Sequence, residues 1–384
     1  MKVGLEILLE EGEPSDDCNV GLVTNQTAVD DNLKHAIPLL LDRGYQLRKV
    51  FTPEHGLYGY HPAGEEVESH SAKPDRRYET ISLYGERRKP EPEDLEEIDL
   101  LFYDIQDVGV RFYTYIYTLA NTLRAAGEQE LEVQILDRPN PLGGQRVRGP
   151  SLPRSHHSFV GDYDLPIQYG LTPGEFALYL QERFGLGKEV SVIELEGWSR
   201  DTTYQDLGRP WVPPSPNIPD FQTTQLYPGT CLFEGTNLSE GRGTALPFKI
   251  FGAPWMNSDQ LKTRIENIQS STIALRETRF RPSDSKYEGE VCHGFQMHPT
   301  AEDPRPIVLV GKIIWTVNEI YQQRFQWRKS EGKYFIDELL GGSEFRRMVD
   351  GGADRDTVTS FLSRSAEDFE VRKEKYHLYP YDGE

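Results

Sequence analysis

The run Leu100-Leu101-Phe102-Tyr103-Asp104-Ile105 is apolar almost without interruption. A strand with one wet face alternates apolar and polar side chains. A run that does not alternate suits a strand covered on both faces, and such strands lie inside parallel sheets. Val133-Gln134-Ile135-Leu136-Asp137 reads the same way, as do Val20-Gly21-Leu22-Val23-Thr24 and the segment from Leu47 to Phe51. Helical stretches separate them. Asn32 to Arg43 carries Leu33, Ile37, Leu40 and Leu41 at helical spacing, and Tyr113 to Ala126 is closed by Gly127. Thr172-Pro173-Gly174-Glu175 combines a capping hydroxyl, a proline at the first helical position and a capping-box glutamate, opening a helix to about Phe184. Ile81 to Tyr84 and Val190 to Leu195 add strands, and Pro92 to Ile98 an acidic helix. Such alternation, kept up over roughly the first 200 residues, is the pattern of a parallel sheet with helices on both faces.

The texture then changes. Trp211-Val212-Pro213-Pro214-Ser215-Pro216-Asn217-Ile218-Pro219 is too rich in proline for a regular element. A boundary near residue 222 follows. The expected fold class is α/β: a Rossmann-like, mostly parallel sheet domain over 1–222, then a smaller C-terminal α/β (α+β) domain over 223–384 that completes an active-site cleft. The second part is expected to hold helices over Ser258 to Ile268 and Ile307 to Phe325, with strands over Ile273 to Phe280 and Val291 to His298.

In open parallel sheets ligands bind beyond the carboxyl ends of the strands. Four strand ends here run into polar, turn-forming segments: Thr24-Asn25-Gln26-Thr27, Thr52-Pro53-Glu54-His55-Gly56, Gln106-Asp107-Val108-Gly109-Val110-Arg111, and Asp137-Arg138-Pro139-Asn140-Pro141. Their recurrence at one edge points to an active site more strongly than any single motif. Glu54, beside Pro53 and an apolar-aromatic loop, would be favoured in its protonated form by burial, which suits a general acid; as readily, it caps a helix or pairs with a surface arginine. Arg111 could clamp a carboxylate, with Tyr113 and Tyr115 stacking on a ring, or could pair with Asp107 inside its own loop. Arg138 and Asn140 could hold hydroxyl or amide groups, or fix a rigid turn. The segment from Phe233 to Thr244 sets Asn237, Glu240 and Arg242 in a glycine-rich loop that could supply a second carboxylate or merely connect two elements.

Several chemistries lack their signatures. No strand is followed by G-x-G-x-x-G, and neither G-x-x-x-x-G-K-[ST] nor G-x-S-x-G occurs, so no nucleotide cofactor and no standard serine hydrolase is expected. Cys292, His293 and His298, and the pair His156-His157, have no trustworthy ligand spacing, so no metal is expected. A net charge of −20 argues against nucleic acid as a partner. No segment is apolar enough for membrane insertion. Three scattered cysteines imply no disulfide framework. Met1-Lys2-Val3-Gly4-Leu5-Glu6 lacks the apolar run of a signal peptide, so the chain reads as cytoplasmic as it stands, or as exported if it is a processed form.

Taken in order, Gly21 to Thr27, Phe51 to Gly56, Asp104 to Tyr115, Asp137 to Pro141 and Phe233 to Thr244 resemble the NamZ-type exo-β-N-acetylmuramidases, and the likeness extends to Trp211–Pro219 and Gly252-Ala253-Pro254-Trp255. The resemblance implies a glycoside hydrolase that removes N-acetylmuramic acid from the non-reducing end of peptidoglycan fragments. It implies a Rossmann-like domain, a smaller second domain and a cleft between them, with Glu54 as leading catalytic candidate. On that footing Glu54 is expected as general acid and Glu240 as second carboxylate. Asn25, His55, Asp107, Arg111, Tyr113, Arg138, Asn140, Asn237 and Arg242 are expected around the sugar. Two rival readings remain: a non-catalytic binder of cell-wall sugars, and a metal-dependent hydrolase using Asp104, Asp107, Asp137 and His55.

Overall fold

The computed structural model describes residues 1–65, 77–153, 161–266, 270–330, 332–364 and 366–383; His156 and His157 lie outside them. Six strands form one sheet: β1 (Asn19–Thr24), β2 (Gln46–Thr52), β3 (Glu79–Ser82), β4 (Leu100–Asp104), β5 (Glu132–Leu136) and β6 (Glu189–Ile193). Their order is β3-β2-β1-β4-β5-β6, and every neighbouring pair is parallel. This is the doubly wound arrangement, in which the order reverses at β1 and all carboxyl ends share one edge.

The unbroken apolar runs are explained by what covers them. Leu101 and Tyr103 of β4 belong to one buried cluster, with Ile116 and Leu123 of α4 (Tyr115–Glu128) and Phe176 of α5 (Pro173–Phe184). Phe102, pointing the other way, belongs to a second cluster with Leu5 and Leu8 of α1 (Gly4–Glu11) and Ile37 and Leu40 of α2 (Ala36–Arg43). Between β3 and β4 lies the single turn α3 (Pro92–Leu95). At α5 the capping box forms as its residues predict: the Thr172 side chain accepts from Glu175 N, and Gly185 ends the helix left-handed.

Some boundaries differ from expectation. The helix expected from Asn32 begins at Ala36, because the Asp30 carboxylate accepts from the amides of Asn32 and Lys34 and holds a turn there. Tyr113 and Thr114 precede α4 instead of opening it. Neither α1 nor α6 (Phe221–Thr230) stood out in the sequence, nor did the short strand β7 (Ile250–Ala253).

The second sheet is antiparallel, in the order β7-β9-β8, with β8 at Ile273–Phe280 and β9 at Cys292–Pro299. Helix α7 (Ser258–Glu266) and α6 both contact α8 (Pro306–Ile320). Gly229 of α6 permits that approach, since a Cβ there would stand 2.4 Å from the Pro306 carbonyl. Short helices from Phe335–Leu340 to Glu367–Lys373 follow. The cluster that covers α4 and α5 continues through Tyr227 and Phe233 to Phe251, Phe295 and Ile313, so both sheets share one core. No helix among the described residues is long and apolar enough to cross a membrane.

Candidate active site

Glu54 lies just past the end of β2 and is 7% exposed. The chain turns sharply there. His55 and Gly56 both have φ of +73°, and the Gly56 amide donates to the Pro53 carbonyl at 3.0 Å. A left-handed residue other than glycine is uncommon, and such strain gathers at functional sites. The turn brings three other segments to the Glu54 carboxylate. The Gly64 amide donates to Oε1 at 3.0 Å, and the Thr114 hydroxyl donates to Oε2 at 2.8 Å. The Tyr84 hydroxyl is a further partner; burial first, and then the charge of Glu54, push its phenol upward. Thr114 caps the 14-residue helix α4, so the positive end of that helix dipole faces the carboxylate.

The loop after β1 prepares this edge without entering it. Asn25 Oδ1 accepts from the Thr27 amide and hydroxyl, and Thr27 Oγ1 accepts from the Gln106 amide across the point where strand order reverses. Gln26 donates to the carbonyls of Pro213 and Pro214, which draws the proline-dense segment over the strand ends. Ser215 and Asn217 are thereby set into the wall of a cavity of about 150 Å³ that also meets Glu54, His55, Tyr113 and Thr114. His55 Nδ1 sits 2.7 Å from the His61 carbonyl and therefore carries the ring hydrogen. Burial lowers its pKa, against the opposing pull of Glu54. Tyr113 meets Tyr115 and Tyr227 edge to face, at 4.8 and 6.1 Å between ring centres.

The glycine-rich loop closes the cavity from the other side. Arg242 donates to Glu234 through Nε at 3.0 Å and Nη2 at 2.6 Å, lies over the Phe248 ring, and stands 3.4 Å from Glu240. Burial pulls its pKa down, but the two glutamates outweigh burial and raise it. Glu240, 2% exposed, also accepts from Lys286 at 2.9 Å. Glu234 and Arg242 line the Glu54 cavity and a larger neighbouring one of about 1120 Å³; Glu240 lines the larger one alone. Asn237 also faces the larger cavity, with its amide occupied by the Arg324 carbonyl and the Gln326 N–H.

Besides Asn25, four expected residues fall elsewhere. Arg111 is fully buried and donates to the carbonyls of Pro150, Leu165 and Leu339, so its fork holds three main-chain segments together instead of a ligand carboxylate. Burial lowers its pKa to about 10. Arg138 is paired with the buried Asp104 and opens onto a separate small space beside Tyr204. Asn140 donates to the Leu171 carbonyl and accepts from Leu142 N, fixing its turn. Asp107 accepts from Gly109 N and the Tyr169 hydroxyl, and burial raises its pKa to about 6. The polar strand ends thus divide: residues after β2 and β4 line the Glu54 cavity, while others after β1, β4 and β5 hold the scaffold. Thr114 and Glu234 stood inside the motifs already noted, but nothing in the sequence said they would face Glu54. Lys286 had no signal. Among the described residues no group of three or more His, Cys, Asp or Glu converges as metal ligands.

Comparison with known proteins agrees with this architecture. Residues 20–222 match the family model described as exo-beta-N-acetylmuramidase NamZ, N-terminal, and residues 225–379 match its C-terminal counterpart. The peptidoglycan beta-N-acetylmuramidase NamZ of Bacillus subtilis (strain 168) is 37% identical over 362 residues, covering 94% of this chain and 86% of that protein. Two crystal structures of DUF1343 family proteins from Bacteroides fragilis NCTC 9343 superpose along nearly the whole chain. One has a TM-score of 0.88 at 31% identity, with 98% of each chain covered, and the other 0.76 at 28%, with 99% of each covered.

Proposed function

The chain belongs to the NamZ family of exo-β-N-acetylmuramidases, and on that premise we propose that Glu54 is the general acid of a glycoside hydrolase releasing N-acetylmuramic acid from the non-reducing end of peptidoglycan fragments. The observation that supports this role is the asymmetry of the two carboxylate oxygens. Oε1 accepts from a main-chain N–H, which can only donate. Oε2 faces the Thr114 hydroxyl, which can turn and accept, so a proton placed on Oε2 would keep a partner there. Glycoside hydrolysis needs such an acid near the leaving oxygen, and commonly a second carboxylate. Glu234 suits that second role better than Glu240, since it shares the cavity with Glu54. Arg242, already held by Glu234, stands where it can meet the lactyl carboxylate of muramic acid.

The rival metal-dependent reading draws no support from the placement of its residues. Asp104 is engaged by Arg138, Asp107 by Tyr169 and Gly109, and Asp137 by Thr172, Gly174 and Tyr379. The test is Glu54→Gln, with folding checked by circular dichroism. Release of a chromophore from an N-acetylmuramide is expected to fall by at least about a hundredfold. Turnover close to that of the unmodified protein would remove Glu54 from the mechanism.

A further inference from the structure

The Glu54 cavity shares Ala63, Asn217, Glu234 and Arg242 with the larger one, so the two are compartments of one cleft. Their sizes, about 150 and 1120 Å³, differ severalfold. An exo-acting glycosidase needs a blind compartment for the terminal sugar and open space for the chain that leaves. Glu54 lies in the small one. The walls of the large one carry Trp327, Tyr287 and Phe335, rings of the kind on which sugar faces stack. Trp327 is fixed by its indole N–H, 2.7 Å from Asp350.

Charge divides the large compartment further. Arg242 is paired with Glu234 and Glu240 and faces the Glu54 compartment, and Lys286 is paired with Glu240. Arg328 and Lys329 line the same compartment, are exposed, and have no ion pair among the described residues. The charged end of each lies over a ring, Arg328 Cζ 5.1 Å from the centre of Phe335 and Lys329 Nζ 4.4 Å from that of Tyr334, so the rings fix where the two charges sit while both side chains stay exposed. On a protein of net charge −20, most of the surface repels an anionic chain, and two cations with no carboxylate partner among the described residues, beside an aromatic wall, stand out.

Resting on the muramidase reading above, we propose that the large compartment is a subsite for the leaving chain, in which Arg328 and Lys329 bind the lactyl carboxylate of the next muramic acid along the glycan. In an alternating chain the sugar after the scissile bond is neutral, and the one after it carries the carboxylate. The enzyme would then select chains longer than one disaccharide.

The measurement is kcat/KM on two peptide-free substrates that end in N-acetylmuramic acid, the disaccharide and the tetrasaccharide. The unmodified protein is expected to favour the tetrasaccharide by about tenfold, the worth of one charge-assisted hydrogen bond. In the double variant Arg328→Ala/Lys329→Ala that ratio should fall toward one, while Arg328→Lys/Lys329→Arg should keep it. Methyl esterification of the inner carboxylate should act on the unmodified protein as the alanine pair does. A ratio near one in the unmodified protein, or a ratio the alanine pair leaves unchanged, overturns the subsite. A preference that arises only when stem peptide is attached overturns the lactyl assignment. Cleavage of the disaccharide is the control on the muramidase reading: if neither substrate is cut, that reading fails and takes this one with it.

Discussion

Thr114 meets Glu54 Oε2 with a hydroxyl that, like that of Tyr84, can donate or accept, which gives it a role the fold does not demand. Its hydroxyl is partly buried, and its backbone caps α4 whatever the side chain carries. In Thr114→Val the shape is kept and Oε2 loses its partner. We expect kcat to drop by about tenfold with KM little changed, and Thr114→Ser to restore most of it. Losses that fall equally on kcat and KM, with no recovery by serine, would mean the hydroxyl does not orient the acid. At this scale the sequence was partly legible. The Pro53-Glu54-His55-Gly56 turn announced itself, because Pro and Gly bracket a carboxylate at a strand end. Arg111 misled, because a motif does not show which way a long side chain points. Its fork could meet a ligand carboxylate or main-chain oxygens, and burial beneath Leu339 decided for the latter.

The strand ends repeat that lesson one level up. Parallel pairing could be read from unbroken apolar runs, since only strands covered on both faces leave out polar residues. What each following loop does could not, because it depends on partners far away in the chain. The end of β5 shows this. Asp137 Oδ1 accepts from the amides of Arg138 and Gly174, while Oδ2 faces the hydroxyls of Thr172 and Tyr379. Both hydroxyls can reverse, so a proton fits on Oδ2, and burial raises the pKa from 3.8 to about 7. The folded state therefore holds this proton over a range in which the unfolded chain has released it. Stability from this group is full below about pH 4 and is lost as pH rises through about 7. Asparagine fits the same donors and acceptors without titrating. Urea unfolding of Asp137→Asn is expected to show a flatter decline between pH 4 and 7 than the unmodified protein. Parallel curves would sink the assignment.

The segment from Lys373 to Pro380 reaches back across the chain and fastens onto the six-stranded part. At the end of the helix Glu367–Lys373, Lys373 Nζ donates to the carbonyls of Gly144 and Gly170; beyond it Leu378 N donates to Glu175 and the Tyr379 hydroxyl to Asp137, and the Arg200 amide donates to the Pro380 carbonyl. Tyr379 also packs edge to face on Trp198, in the cluster that holds Val3 and Leu5. Removing residues 378–384 takes no part of the cleft, yet leaves buried Asp137 and Glu175 short of donors. We expect a fall in Tm of about 5–10 °C, from lost hydrogen bonds to buried carboxyl groups. An unchanged melting curve would show the tail to be only adherent. A ribosome builds this chain from the other end. When the six parallel strands have all emerged, the side chains that complete their helical cover are still some 180 residues from being joined to it (193 against 379). Nascent sheet must therefore wait, with two acids underfilled, until residues made much later reach it.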